Sequence, residues 1–264
     1  LKPEILLRKM KKIVLAADLG GTNLRMAAVD RDGKILYRTR RETPRAACAS
    51  EIVSVISDAA KECLQNFEKQ AVSVFAAAVP AIIDFEKGIT LQLPNIPALN
   101  GFHLASALEN ELNLPCILEN DANAAAVGEN WLGASKDFKN SIMVTLGTGV
   151  GGGIIIDGKI LRGADGTAGE IGHICVEPFG APCGCGARGC VEQYASATAI
   201  IRLARELESQ FPESVIAKKA SLSSLEIYEA GLQGDALATE VFRRQGFYLG
   251  IVLADLINVL NPEI

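Results

Sequence analysis

No apolar stretch in this 264-residue sequence is long enough to cross a bilayer. The longest, residues 72–83, contains Ser73 and Pro80 and falls well short of the roughly 20 residues a spanning helix needs. The chain also lacks a basic surplus. Lys and Arg number 26 against 31 Asp and Glu, a net charge of −5, which argues against steering by nucleic-acid phosphates. There is no even, paired cysteine layout either. The seven cysteines are an odd set, with Cys48, Cys63 and Cys116 scattered while Cys183, Cys185 and Cys190 crowd together. That pattern excludes a secreted disulfide scaffold and fits a cytosolic protein with one local thiolate site. The apolar run 13–17 behind Lys11-Lys12 is too short for a signal-peptide core and runs into Asp18. It reads as a strand, with Met10-Lys-Lys-Ile as a natural start and residues 1–9 as a leader of no structural consequence.

What is present is a globular composition, 49% hydrophobic and 22% charged. The length allows one large domain or two lobes of about 100–150 residues. Short β-rich runs at 13–17, 26–29, 35–39, 72–79, 116–119, 142–146, 153–156 and 160–161 alternate with helical patterns at 50–68, 104–112, 122–131, 197–211 and 235–260. That alternation predicts an α/β architecture. Asp32-Gly33 and Asp157-Gly158, each followed by Lys-Ile-Leu, are hairpin signals.

The two hairpins disclose an internal repeat. Leu19-Gly20-Gly21-Thr22, an apolar strand and Asp32-Gly33-Lys34-Ile35-Leu36 are echoed by Leu146-Gly147-Thr148-Gly149, an apolar strand and Asp157-Gly158-Lys159-Ile160-Leu161. The echo predicts a duplicated fold whose two glycine turns face each other across a cleft. Asn261-Pro262 terminates the last helical pattern, and Glu263-Ile264 read as the first residues of a further strand, so the chain is expected to be short at its C-terminus.

Three segments carry polar groups in places where chemistry needs them. In Asp18-Leu-Gly-Gly-Thr-Asn-Leu-Arg25 two glycines let backbone approach a phosphate, Thr22 and Asn23 are donors, and Asp18 suits Mg²⁺; a plain hairpin is the other reading. Gly147-Thr-Gly-Val-Gly-Gly-Gly153 fits the spacing of a dinucleotide fingerprint, but Ile154-Ile155-Ile156 and Asp157-Gly158 predict a strand where that fingerprint needs a helix. A phosphate hairpin fits better. In Glu119-Asn-Asp-Ala-Asn-Ala-Ala-Ala126 a strand gives way to an Ala-rich helix, with Asn120 or Asp121 as N-cap. A carboxylate there is also where a base for a hydroxyl nucleophile would sit.

Glu170-Ile-Gly-His173 and Cys183-Gly-Cys185-Gly-Ala-Arg-Gly-Cys190 together hold one imidazole and three thiols, a Cys₃His set suited to closed tetrahedral Zn²⁺. Gly184, Gly186 and Gly189 are expected to let the short chain wrap around the metal, with Cys175 as a spare thiol. A DNA-binding finger is disfavoured because Arg188 is the only basic residue between Pro178 and Ala195.

Taken in order over residues 10–264, these motifs resemble the ROK sugar kinases, in particular the bacterial glucokinase type. The resemblance implies a two-lobed actin-like (ribonuclease H-like) ATPase fold, with duplicated βββα lobes at 10–121 and 122–264 and an inter-lobe cleft. It implies ATP-dependent phosphorylation of a hexose 6-hydroxyl, most simply that of glucose, with Asp121 as general base. Asn120, Glu170, His173, Glu192 and Asn95 would contact the sugar. Asp18, Gly21, Thr22, Asn23 and Arg25, with Thr148, Gly149, Gly151 and Gly152, would hold the ATP phosphates and Mg²⁺. Structural Zn²⁺ would be bound by His173, Cys183, Cys185 and Cys190. The same likeness implies a cytoplasmic homodimer or homotetramer without nucleic-acid or membrane partners.

Two departures qualify the likeness. Ala81 stands in Ala78-Val-Pro-Ala81 where the family usually has glycine near the sugar, and the family continues past the last helix with a strand and a glycine turn that packs on adenosine. Kinases of N-acetylmannosamine, N-acetylglucosamine or fructose are near alternatives. A sugar-responsive transcriptional regulator is a weaker one, because about a dozen residues precede Ile13 where a DNA-binding domain would stand. A structural ATPase of the actin type would share only the fold.

Overall fold

Alternation puts Ile13, Leu15, Ala17 and Leu19 on one face of strand β1 (Ile13–Leu19), and in the computed structural model all four are buried. The structure describes residues 13–44, 48–68 and 71–264, so the leader and the Met10 start lie outside the described residues. By internal contacts the chain separates into two units. The first runs to Gly128 and also takes Arg162–Ala168; the second holds Glu129–Leu161 and Gly169–Ile264. The 10–121 and 122–264 lobes drawn from sequence place the helix after Asp121 in the second lobe, whereas its first eight residues group with the first unit.

In the first unit β1 pairs antiparallel with β2 (Asn23–Asp30), and β2 with β3 (Ile35–Glu42). On its other side β1 runs parallel to β4 (Val72–Val79), which runs parallel to β7 (Cys116–Asn120), giving the sheet order β3-β2-β1-β4-β7. A hairpin of β5 (Ile82–Asp84) and β6 (Ile89–Gln92) stands apart. The buried sheet face packs on helix α1 (Ala49–Leu64) through Ile52, Ile56, Ala59 and Cys63, and on α2 (Leu104–Leu112) through Leu104 and Leu108. Both helices therefore bury a stripe at three- to four-residue spacing. Because β1, β4 and β7 are parallel, their C-terminal ends meet at one edge of the sheet, and helix α3 (Asp121–Leu132) starts there.

The second unit repeats the opening pattern. Strands β8 (Ser141–Leu146), β9 (Val150–Ile156) and β10 (Lys159–Ile160) form the antiparallel order β10-β9-β8, matching β3-β2-β1. Asp157 (φ 50°) and Gly158 (φ 72°) both sit left-handed in the β9–β10 turn, the demand that an Asp-Gly pair meets. Where β4 flanks β1, Glu263 and Ile264 lie beside β8: Glu263 N–H donates to Asn140 O (2.8 Å) and Ile142 N–H to Ile264 O (3.0 Å). The helices are α4 (Glu192–Ala195), α5 (Ala197–Leu207), α6 (Ser224–Leu232) and α7 (Ala236–Leu260). One apolar cluster joins Ile200, Ile227 and Val241 of the last three; another joins Val150, Ile154, Ile171, Val191 and Val252. No helix among the described residues is long and apolar enough to cross a membrane.

Several boundaries differ from the sequence expectation for local reasons. The helix expected to reach residue 68 ends at Leu64, where the Asn66 amide donates to Glu62 O (3.0 Å) and closes the last turn. Helix α6 was not anticipated, although Ser223 and Glu226 form a reciprocal capping box. Phe75, fully buried in β4 between β1 and β7 of the first sheet, should be a sensitive position. Phe75→Ala is expected to cost about 3–5 kcal/mol, measurable as a lowered midpoint in urea unfolding.

Candidate active site

The competition between Asn120 and Asp121 at the head of α3 is resolved by geometry. Asn120 Oδ1 accepts from the Ala122 N–H (2.9 Å) and the Asn123 N–H (3.1 Å), so Asn120 is the N-cap. Asp121 is the first helical residue, its Oδ1 taking only the adjacent Ala122 N–H (2.9 Å). Although the Asp121 side chain stays reachable by solvent, enough protein surrounds it that desolvation raises its carboxyl pKa, and the negative charge of Asp18 adds to the rise. Asp18 lies two strands away: it pairs with Ala78 of β4, and Ala78 pairs with Glu119 of β7.

The first glycine turn is built on that same row. Asp18 Oδ2 accepts from Arg25 Nη1 at 2.9 Å, with both side chains largely exposed. Asn23 Oδ1 accepts from Arg40 Nε (3.0 Å) and Nη2 (2.8 Å), and the Thr22 carbonyl takes the Thr43 N–H (2.9 Å). Arg40 stands directly opposite Arg25 on β3, so two guanidinium groups flank the turn. That second arginine was missed, since no local signal in the sequence marks it. A Cβ on Gly21 would lie a tight 3.1 Å from Asn95 Cβ, which places Asn95 against the turn.

Ala81 is buried, its φ is not positive, and its carbonyl accepts from Asn120 Nδ2 at 3.4 Å. Its backbone is one that alanine adopts freely, so the substitution brings no strain. Glu119 extends the network: its Oε1 takes Asn123 Nδ2 (3.2 Å), and its Oε2 takes Arg162 Nε (3.2 Å) as well as Arg162 Nη2. The Arg162 guanidinium also lies 4.8 Å from the Phe85 ring centre. Glu119 stands within a motif noted in the sequence, but nothing there pairs it with a residue 43 positions later.

The other predicted residues lie in the second unit. Thr148 and Gly149 form the turn between β8 and β9, whereas Gly151 and Gly152 lie inside β9, paired with Thr145 and Val144. Gly152 is buried where a Cβ would collide with Ile171, so its small size serves packing of the turn that carries Glu170 and His173. Glu192 begins α4, and its Oε2 accepts from the Val150 N–H at 3.1 Å.

His173, Cys183, Cys185 and Cys190 present ligand atoms that all lie within 4.8 Å of one another. His173 Nδ1 is 3.6 Å from Cys183 Sγ, and Cys185 Sγ is 3.7 Å from Cys190 Sγ. A zinc tetrahedron with bonds of about 2.0–2.3 Å has edges of about 3.5–3.8 Å, so the donor set fits that ion. Burial and the neighbouring thiols push the Cys190 pKa up to about 12, while the Ala187 amide lowers that of Cys185. Gln193 Nε2 lies 3.7 Å from Cys183 Sγ, an outer partner that sequence reasoning missed. Of the three glycines expected to shape the knot, Gly186 and Gly189 have positive φ and a Cβ at Gly189 would strike Glu177 O, but Gly184 faces open space at an ordinary φ. Cys175 pairs with Cys190 across an isolated bridge and is not among the four clustered donors.

The sequence pattern described as the ROK family matches residues 14–264. The chain is 40% identical over 256 residues to a glucokinase of Halalkalibacterium halodurans, covering 94% of this chain and 77% of the relative. It is 36% identical to an N-acetylmannosamine kinase of Yersinia pestis, covering 95% and 80% of the two chains. The solved ROK family glucokinase of Streptomyces griseus, in complex with glucose and AMPPNP, superposes with a TM-score of 0.80 at 36% identity, covering 95% of this chain and 80% of that one. An actin-like fold, a cap that leaves Asp121 uncommitted and a Cys₃His knot beside Glu192 thus occur in a chain that belongs to the ROK family.

Proposed function

We propose that this protein is an ATP-dependent hexose kinase that transfers the γ-phosphoryl group to the 6-hydroxyl of glucose. The observation that carries the reading is the Asp121 carboxylate, released from capping by Asn120 and lying near Asp18 at the C-terminal edge of the parallel strands. Family membership through residues 14–264 supports reading that edge as a phosphoryl-transfer site.

Phosphoryl transfer through a loose transition state asks a protein for alignment and charge more than for covalent chemistry. Asp121 accepts a hydrogen bond from the 6-hydroxyl, aims its oxygen at the γ-phosphorus and takes the proton late. Its raised pKa makes it a better proton acceptor than an ordinary carboxylate of pKa about 3.9. Asn120, Asn95, Glu170, His173 and Glu192 hold the remaining sugar hydroxyls. Gly21, Thr22, Asn23 and Arg25, with Thr148, Gly149, Gly151 and Gly152, hold the ATP phosphates. Asp18, now paired with Arg25, would hold Mg²⁺, which would supply charge neutralisation on the phosphates. His173 and the three thiolates would hold zinc, with one ring nitrogen of His173 on the metal and the other side available to the sugar, and the ion would fix the segment that carries Glu170 and Glu192. The enzyme would act as a cytoplasmic homodimer or homotetramer.

The Yersinia pestis relative, as similar as several of the glucokinases, supports a second reading in which N-acetylmannosamine is the substrate. ADP release measured over glucose, N-acetylmannosamine, N-acetylglucosamine and fructose separates them: the highest kcat/KM belongs to glucose on the first reading, and a preference for an N-acetyl sugar overturns it.

Asp121→Asn should leave glucose binding nearly intact while lowering kcat by on the order of 10²–10⁴; near-normal turnover removes Asp121 from its role. The same variant should be the more stable of the two at neutral pH. A carboxyl whose folded pKa is raised loses stability as pH climbs from its unfolded pKa through its folded one. The gain in Tm for Asn should therefore shrink toward zero as pH falls below about 4, which a thermal melt series without Mg²⁺ would read. Protein purified without chelator should carry about one zinc per chain, and stripping it should raise the glucose Kd; a metal content near zero in folded protein contradicts the site.

A further inference from the structure

The start of β9 is almost bare of side chains, and the space is taken by the segment that holds the sugar and zinc residues. A Cβ on Gly149 would collide with Glu192 Oε2, one on Gly152 with Ile171, and one on Gly172 with Val150 O. The turn is also pinned by three hydrogen bonds to the stretch 192–198. Glu192 Oε2 takes the Val150 N–H at 3.1 Å, the Ala197 N–H donates to Gly147 O at 2.8 Å, and Thr198 Oγ1 donates to Thr148 O at 3.0 Å.

From this arrangement we infer that Glu192 is a positioning residue for the second phosphate turn, so that sugar contact at its carboxylate and nucleotide affinity at Thr148-Gly149 are coupled through the Val150 amide. The inference rests on the kinase reading above. It follows from charge and geometry. The Val150 amide is committed to Glu192 and is not offered to a phosphate, and the carboxylate stands beside a turn that must receive polyanionic ATP. Without sugar, its negative charge repels the phosphates and its rotamer is held by one hydrogen bond. A sugar hydroxyl donating to Glu192 engages that charge and fixes the rotamer, which lowers the repulsion and orders the turn. By linkage, nucleotide must then tighten sugar by the same factor.

Titration calorimetry of the whole chain with AMPPNP and Mg²⁺, with and without saturating glucose, tests this. Wild type should bind AMPPNP roughly fivefold or more tighter when glucose is present. Glu192→Gln keeps an acceptor for Val150 but removes the charge. It should bind AMPPNP more tightly than wild type in the absence of sugar and respond less to glucose. Gly149→Ala keeps every charge but displaces the carboxylate, and its response to glucose should fall below about twofold. A merely structural role would weaken AMPPNP in both variants and leave the glucose response intact, which overturns the inference. So would weaker or unchanged AMPPNP binding by Glu192→Gln without sugar. Because that arm contains no hexose, it stands even if ADP-release assays show that no hexose is phosphorylated, an outcome that sinks the kinase reading instead.

Discussion

Close approach of backbone to other groups, made possible by missing side chains, is the constraint on which this site depends. Gly21 admits Asn95, Gly149 admits the Glu192 carboxylate, Gly172 admits the Val150 carbonyl and Gly189 admits that of Glu177. None but Gly189 needs a left-handed backbone, so the glycines are there chiefly for space. The consequence is rigidity without bulk. Each turn is held by hydrogen bonds from its neighbours, as Gly20 O is by Thr43 Oγ1 (2.7 Å) and Thr148 O by Thr198 Oγ1 (3.0 Å), while its outer surface stays free of side chains that would obstruct a phosphate.

Electrostatics divides labour between adjacent residues. At the head of α3 the amide of Asn120 satisfies the orphan helix N–H groups, a task a carboxylate would also perform but with its charge consumed. Asp121 is left with a raised pKa and a neighbouring carboxylate, a combination that costs stability and is useful only where a cation or a hydroxyl is to be bound. The Arg25–Asp18 pair offsets part of the Asp18 charge and, being exposed, adds little to stability.

Much of this was legible before any coordinates. β-Branched runs and Asp-Gly turns located the strands, and the repeat of a strand, glycine turn and strand corresponds to the shared orders β3-β2-β1 and β10-β9-β8. What escaped was whatever depends on partners distant in sequence. Nothing local indicates that Arg162, after a hairpin of the second unit, returns to Glu119 and Phe85 of the first, or that Arg40 holds Asn23. The choice between Asn120 and Asp121 as cap was undecidable because both residue types cap well. Helix α6 was a true oversight, since Ser223 and Glu226 spell its capping box.

A metal would suit the loop between His173 and Glu192, which has few buried apolar residues beyond Ile174 and Val176 packed at its start. Cys183, Cys190 and Val191 are its buried apolar residues, while Phe179 is 92% exposed and several positions are glycine. Burial on that scale cannot offset about 1–2 kcal/mol of backbone entropy for each ordered residue. Cross-linking His173 to the three thiolates would close the loop at its base instead, with Glu170 three positions before His173 and Glu192 two after Cys190 just outside the cross-link. Fixing Glu192 would fix the acceptor of the Val150 amide, and through Ala197 and Thr198 the carbonyls of Gly147 and Thr148 as well, so order in the loop would reach the turn between β8 and β9.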